Sequence, residues 1–218
     1  MSTFKTLNTK DKIGYIWDYY RIQIALVILA IIVVISFGVR FIRHVDTNVY
    51  CLIFNDTENE ELEEHIKSSY SEYIENDKVT ASVDNSYMFS YVEEHGLNWP
   101  DDGTAVNYMT LQSTGDADVI ITDYDSMLWA KYEDFIFPVE DVLPEDLYKK
   151  LEPYFTYAVF KDDASGEGDG IVYGLDISDS PVYKDHSLNY THAILCFPNV
   201  STDKEAAIRF TKFIYNLK

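Results

Sequence analysis

An uncharged run of eighteen residues, Ile22 to Val39, constrains this chain more than any other feature. It reads IQIALVILAIIVVISFGV, and Gln23 is its one amide. At about 1.5 Å of rise per residue, a helix of that length spans roughly 27 Å, close to the hydrocarbon thickness of a bilayer. A helix closes its own backbone hydrogen bonds, so it can cross lipid. Arg21 and Arg40 bracket the run. Tyr15, Trp17, Tyr19 and Tyr20 precede it in the manner of an interfacial aromatic belt. A buried core helix would usually carry a polar face. A cleaved signal peptide would have a shorter apolar region and a small-residue cleavage site, whereas the exit here reads SFGVRFIRHVD. The expectation is an uncleaved transmembrane helix over 22–42, contacting lipid from Ile22 to Ile42, behind a tail over 1–21. Residues 11–20 of that tail are expected to form a short helix at the interface.

Lysine and arginine set the expected orientation. Lys5, Lys10, Lys12 and Arg21 stand before the apolar run, and Arg40 and Arg43 stand just after it. The bias favours a cytoplasmic N-terminus and an extracellular C-terminal portion, a single-pass arrangement in the cell membrane.

Charge divides at the same place. Residues 1–44 carry six Lys/Arg and two Asp/Glu, a net of +4. Residues 45–218 carry 11 Lys/Arg and 35 Asp/Glu, a net of −24. A surface this acidic repels nucleic acid, which is excluded as a partner. It suits a solvated exterior, or attraction to cations and basic partners. The 174 residues after the anchor suffice for one domain with a real core. Two cysteines, Cys51 and Cys196, lie in apolar runs. Two such residues make no disulfide framework; they read either as a pair on neighbouring strands or as separate buried thiols.

Along the domain, continuous apolar runs alternate with helical periodicity. Residues 48–54 (NVYCLIF), 117–122 (ADVIIT) and 191–197 (THAILCF) read as strands buried on both faces, and 79–83 (VTASV) as another strand. Leu62, Ile66, Tyr70, Tyr73 and Ile74 share one face of a helix opened by a Thr57–Glu60 capping box. Ala206, Phe210, Phe213, Ile214 and Leu217 share one face of a last helix opened by a Thr202–Glu205 box. Between them, 87–94 and 104–113 read as helices, 126–132 as a short helix, 135–142 as extended, and 145–151 as a helix opened by Pro144. Residues 156–160 and 170–176 read as strands of a hairpin around a Gly- and Asp-rich loop. Buried strands alternating with amphipathic helices imply an α/β fold: one N-terminal transmembrane helix, then a three-layer α/β lobe over 45–218 with a mostly parallel central sheet.

Three segments resemble bacterial extracellular solute-binding proteins of the Venus-flytrap type. They are GDADVIITDYDSMLWAKYEDFIFPVEDVLPEDL (115–147), YGLDISDSPVY (173–183) and HAILCFPNVSTDKEAAIRFTKFIY (192–215). The third looks like the returning strand, Pro-Asn turn and final helix of such proteins. The resemblance implies a single-lobe, membrane-anchored relative, since whole family members are about twice this length and enclose a solute between two lobes. Here a transmembrane helix stands where the family carries a lipid anchor.

In open α/β sheets, ligands sit beyond the carboxyl ends of the strands. That rule places Asn55, Asp56, Asp84, Asn85, Asp123 and Tyr124 near one edge, and Asp176 lies in the segment LDISDSPVY. Asp56, Asp84, Asp123, Tyr124 and Asp176 are the candidate ligand-binding residues. Asn and Asp also favour turns and caps, so each has an ordinary structural reading as well. The stretch 162–169 invites comparison with a calcium loop, but Gly174 stands where the bidentate Glu would be needed. No two histidines have zinc spacing, and the chain lacks G-x-S-x-G, G-x-x-x-x-G-K-[ST] and G-x-G-x-x-G. No catalytic residue, metal ligand or cofactor is therefore expected. Two functions follow. One is a non-enzymatic accessory or sensing subunit that touches a membrane-protein partner. The other is a module binding a cationic small solute or basic peptide at the strand-end edge.

Overall fold

The computed structural model describes residues 8–42, 45–56, 59–88, 90–92, 96–98, 109–110, 113–159, 168–184 and 190–218. The chain divides into two compact units, Met1–His44 and Val45–Lys218.

In the first unit, helix α1 runs unbroken from Thr9 to Ile42. Its 34 residues extend about 51 Å. The expected interfacial helix over 11–20 is therefore not a separate element; no glycine–proline break interrupts the turn pattern, and the aromatic residues continue the apolar helix. Trp17–Val39 is long and apolar enough to cross a membrane, and none of it is buried. Val34 and Phe37 are 70% and 73% exposed.

The second unit is an α/β lobe. Strands β1 (Asp46–Phe54), β2 (Val79–Tyr87), β5 (Val119–Thr122), β7 (Phe155–Tyr157), β8 (Val172–Asp176) and β9 (Ile194–Pro198) form one sheet in the order β2-β1-β5-β9-β8-β7, and β6 (Ile136–Phe137) joins it beside β9. β1 pairs in parallel with β2 and β5. β9 is antiparallel to β5, β6 and β8, and β7 is antiparallel to β8. Five of these seven strands thus run in one direction, against β7 and β9. The third segment of the solute-binding resemblance supplies that returning strand, which inserts between β5 and β8.

Helices cover both faces. Helix α2 (Glu60–Tyr73) buries Leu62, Ile66 and Tyr70, and α6 (Lys204–Ile214) buries Ala206, Phe210, Phe213 and Ile214. These pack with Val49, Cys51 and Ile53 of β1, Val119 and Ile121 of β5, and the short helices α4 (Val139–Val142) and α5 (Glu145–Lys150). Helix α3 (Tyr124–Tyr132) lies on the other face, where Met127, Trp129 and Ala130 meet Leu52, Phe54, Ile120 and Cys196. Alternating side chains of one strand therefore enter two separate cores, as strand geometry requires.

Several local expectations are corrected. Residues 90–92 form β3 and pair antiparallel with β4 (Gly96–Asn98), where a helix over 87–94 was expected. Aromatic and β-branched residues in FSYV favour strand over helix. Strand β2 continues four residues past Val83. Asn59 caps α2 through its side chain on the Leu62 N–H, and Asp203 caps α6 on the Ala206 N–H. The Thr202–Glu205 box is displaced by one residue; Thr57 and most of the helix expected over 104–113 lie outside the described residues. Residues 139–142 are helical rather than extended, because Pro138 opens the turn as an N-cap.

Cys51 and Cys196 do not pair. β5 lies between their strands, with Cys51 level with Val119 and Ile120 level with Cys196. Two strand spacings are about 9.5 Å, too far for a disulfide, and the side chains enter opposite cores. Burial pushes both thiols well above their ordinary pKa. Neither should react with a thiol reagent before unfolding, and gel mobility should not depend on reductant; a reductant-sensitive band from monomeric protein would contradict this placement.

Gly174 sits where a Cβ would lie 2.3 Å from Ile194 Cγ2 and 3.0 Å from Met127 Sδ. Gly174→Ala should cost about 1–3 kcal/mol in denaturant unfolding, the usual penalty for overpacking.

Candidate functional site

The carboxyl ends of β1, β5 and β8 converge on one edge of the lobe. Thr122 and Asp176 are level with each other across Ile194 of β9. At the end of β1 the chain turns through Asn55, whose φ of 60° is in the left-handed region that Asn tolerates. Its N–H donates to the Tyr87 carbonyl at 2.8 Å. Its Nδ2 donates to Asp123 Oδ2 and Ser126 Oγ, both at 3.1 Å. That turn carries Asp56 inward.

Asp56 is 1% exposed. Its Oδ2 accepts from Asn59 Nδ2 at 2.7 Å, while Asn59 Oδ1 caps α2. Asp123 caps α3: Oδ1 accepts the Ser126 N–H at 2.8 Å. Tyr124 is tied to the β7 end of the hairpin, its hydroxyl donating to the Tyr157 carbonyl and accepting from the Val159 N–H, both at 3.1 Å. Asp176 holds the turn after β8, Oδ1 accepting from the Ser178 N–H at 2.9 Å and the Ser178 hydroxyl at 2.6 Å. His192 Nδ1 lies 4.0 Å from Asp176 Oδ2.

Asp84 stands apart. The register sets it level with Leu52, before the end of β2. Its Oδ2 accepts from the Tyr50 hydroxyl at 3.0 Å, and its Oδ1 accepts from the N–H and hydroxyl of Ser86 at 3.0 and 2.6 Å. Burial, then the Asp84 charge, pushes the Tyr50 phenol well above its ordinary pKa. Asn85 belongs to the same bulge of β2. The edge therefore gathers Asn55, Asp56, Asp123, Tyr124 and Asp176 but not Asp84.

Two buried tyrosines absent from that expectation feel the charge of Asp56. Tyr183 is 2% exposed, and its hydroxyl has no hydrogen-bond partner. The Tyr190 hydroxyl is likewise buried without a partner. Burial raises both phenols well above their ordinary pKa, and the charge of Asp56 adds to each shift; Asp123 also acts on Tyr190. A buried hydroxyl left unpaired costs about 1–3 kcal/mol. Nothing local in the sequence around Tyr183 or Tyr190 marks either hydroxyl, so only the long-range packing exposes their burial.

A hollow of about 410 Å³, lined by Thr47, Asn48, Val49, Tyr50, Asp116, Asp118 and Asp203, lies at the opposite edge. Burial raises the Asp118 carboxyl above its ordinary pKa, although it accepts from the Tyr50 N–H at 2.9 Å and the Ser201 hydroxyl at 3.2 Å. Among the described residues, no three His, Cys, Asp or Glu side chains gather to hold a metal ion. Residues 162–167 of the loop compared with a calcium site lie outside the described residues. Asp169, at its end, pairs with Lys131 at 3.3 Å.

No family model matches the chain, and no curated protein matches it. Among solved structures it is similar to an ABC substrate-binding protein from Listeria monocytogenes, determined in complex with cycloalternan. The TM-score is 0.35 at 11% identity, covering 60% of this chain and 29% of that one. It is also similar to an extracellular solute-binding protein of family 1 from Alicyclobacillus acidocaldarius, with a TM-score of 0.34 at 12% identity, covering 62% of this chain and 28% of that one. The chain spans less than a third of the length of either. What the site does is read from its own residues.

Asp123→Ala removes a helix cap and a partner of Asn55 together. It should cost about 1–2 kcal/mol in denaturant unfolding, while Asp123→Asn, which keeps an acceptor for the Ser126 N–H, should cost less than half as much. Equal costs for the two would contradict the capping role.

Proposed function

We propose that this is a non-enzymatic, single-pass membrane protein, an accessory or sensing subunit that works by touching another membrane protein. Its N-terminus is cytoplasmic and its acidic α/β lobe is extracellular. The observation that carries the reading is the engagement of the strand-end groups. Asp56, Asp123, Tyr124 and Asp176 each bond to the lobe's own chain. Solute capture would need such groups turned outward in an open cleft. The exposed apolar surface of α1 supports an anchor, and the −24 net charge after residue 44 supports a partner with a basic surface. The absence of nucleophile and phosphate-binding motifs in the sequence favours contact over catalysis.

Photo-crosslinking groups placed on exposed acidic positions such as Glu61, Glu64 and Asp146 of the full chain, in its native membrane, should give one recurrent membrane-protein adduct. Protease added outside intact cells should remove the lobe. Failure to recover any adduct or oligomer, or protection of the lobe from external protease, would overturn the proposal.

A further inference from the structure

The outer face of α2 carries Glu61, Glu64, Ser68 and Glu72, all exposed and at helical spacing over about 16 Å. A hollow of about 450 Å³ runs beside Glu61, Glu64 and Ser68, and one of about 290 Å³ beside Ser69, Glu72 and Tyr73. His65 lines both, so the two form one groove along the helix. Its lining changes from end to end. The Glu61 end is polar, whereas at the Glu72 end the wall facing α2 is Pro181, Val182 and Phe213.

The helix dipole accounts for the glutamates in the first turn of α2. It does not account for Glu72. That residue stands in the last turn, where negative charge opposes the dipole, and no basic residue stands there with it. Glu75 and Asp77 follow. The one lysine of the helix, Lys67, pairs with Glu63. Among the described residues, Glu61, Glu64 and Glu72 form no ion pair.

We propose that this groove docks a basic amphipathic helix presented by the partner membrane protein. One apolar side chain of that helix fills the hollow walled by Tyr73, Val182 and Phe213, and its lysines or arginines meet Glu61, Glu64 and Glu72. The acids call for positive charge, and complementary rim charges fix the register of an encounter. A second copy of this lobe would bring acids against acids, at a net charge of −24 each. The groove also selects the occupant's backbone. Its lining comes from α2, α6, the turn at 181–182 and Asn216, and none of it from a strand. An extended segment would find no strand edge to join, whereas a helix brings its own backbone bonds and needs only side-chain complementarity. The proposal rests on the partner-contact reading and gives that contact a place and a chemistry.

The test uses the full chain in its native membrane. A photo-crosslinking residue at Ser69, or at the exposed Ser68 if that variant fails to fold, should give the partner adduct. One at Glu133, which ends α3 on the other face of the sheet, should not. Sequencing the adduct should place the crosslink in a segment with Lys or Arg at helical spacing. Glu64→Lys/Glu72→Lys should lower the Ser69 adduct by at least about tenfold, the loss expected when rim attraction becomes repulsion. Glu133→Lys/Glu152→Lys changes the net charge equally at exposed positions outside the groove and should leave the adduct unchanged. If the first variant fails to fold, Glu72→Gln alone is measured, with a loss of about threefold expected. Equal loss in both charge variants, no loss in the first, an adduct as strong from Glu133 as from Ser69, an adduct joining two copies of this chain, or a crosslinked segment without basic residues would each overturn the groove. In those cases an adduct from Asp146 keeps the partner reading standing. If no position gives an adduct, Asp146 included, both fall.

Discussion

Strand β1 has to be covered on both faces, and the lobe is arranged around that need. Cys51 and Ile53 face α2 and α6, while Leu52 and Phe54 face α3, and all four are essentially inaccessible to solvent. Burying each of the larger side chains contributes about 1.5–3 kcal/mol, so exposing either face would forfeit most of the core. A two-sided strand needs neighbours on both edges as well. β2 and β5 supply them in parallel, and parallel pairing requires crossover connections. The crossover from β1 to β2 is α2. Its start is set by Asn59, whose side chain caps the helix with one end and holds Asp56 with the other.

That double use ties the site to the fold. Asn55 turns the chain in the left-handed region, bonds Asp123 across the sheet, and delivers Asp56 to the interior. Asp123 in turn caps α3, the cover of the second face. The polar edge is therefore a set of fasteners at the ends of buried strands. This explains why acidic residues there are compatible with a stable lobe: their charges are spent on helix N-termini and amide donors. The Tyr183 and Tyr190 hydroxyls are the exception, since the fold gives them no bond in return for burial.

The sequence was legible where a local pattern and the tertiary need agreed. Apolar runs such as CLIF and VIIT are strands, and the stripe Phe210, Phe213, Ile214 is the buried face of α6. Caps were displaced because several adjacent residues can cap. Thr202 and Asp203 are both competent, and only the chain's path into α6 chooses Asp203. Asp84 looked like a strand end because apolar alternation stops at Val83, but the backbone pairing with β1 continues through DNSY to Tyr87. The site was half legible. The strand-end rule located Asp56, Asp123 and Asp176 on one edge, whereas Tyr183 and Tyr190 lie more than a hundred residues from Asp56 in the chain. No spacing along the sequence could have joined them.

A single lobe changes what kind of ligand is worth binding. The strands flanking 157–172 pair as an antiparallel hairpin at the edge of the same sheet, Phe155 with Leu175 and Thr156 with Gly174. A solute laid against such an edge is touched from one side and keeps much of its water, so a broad ligand gains little there.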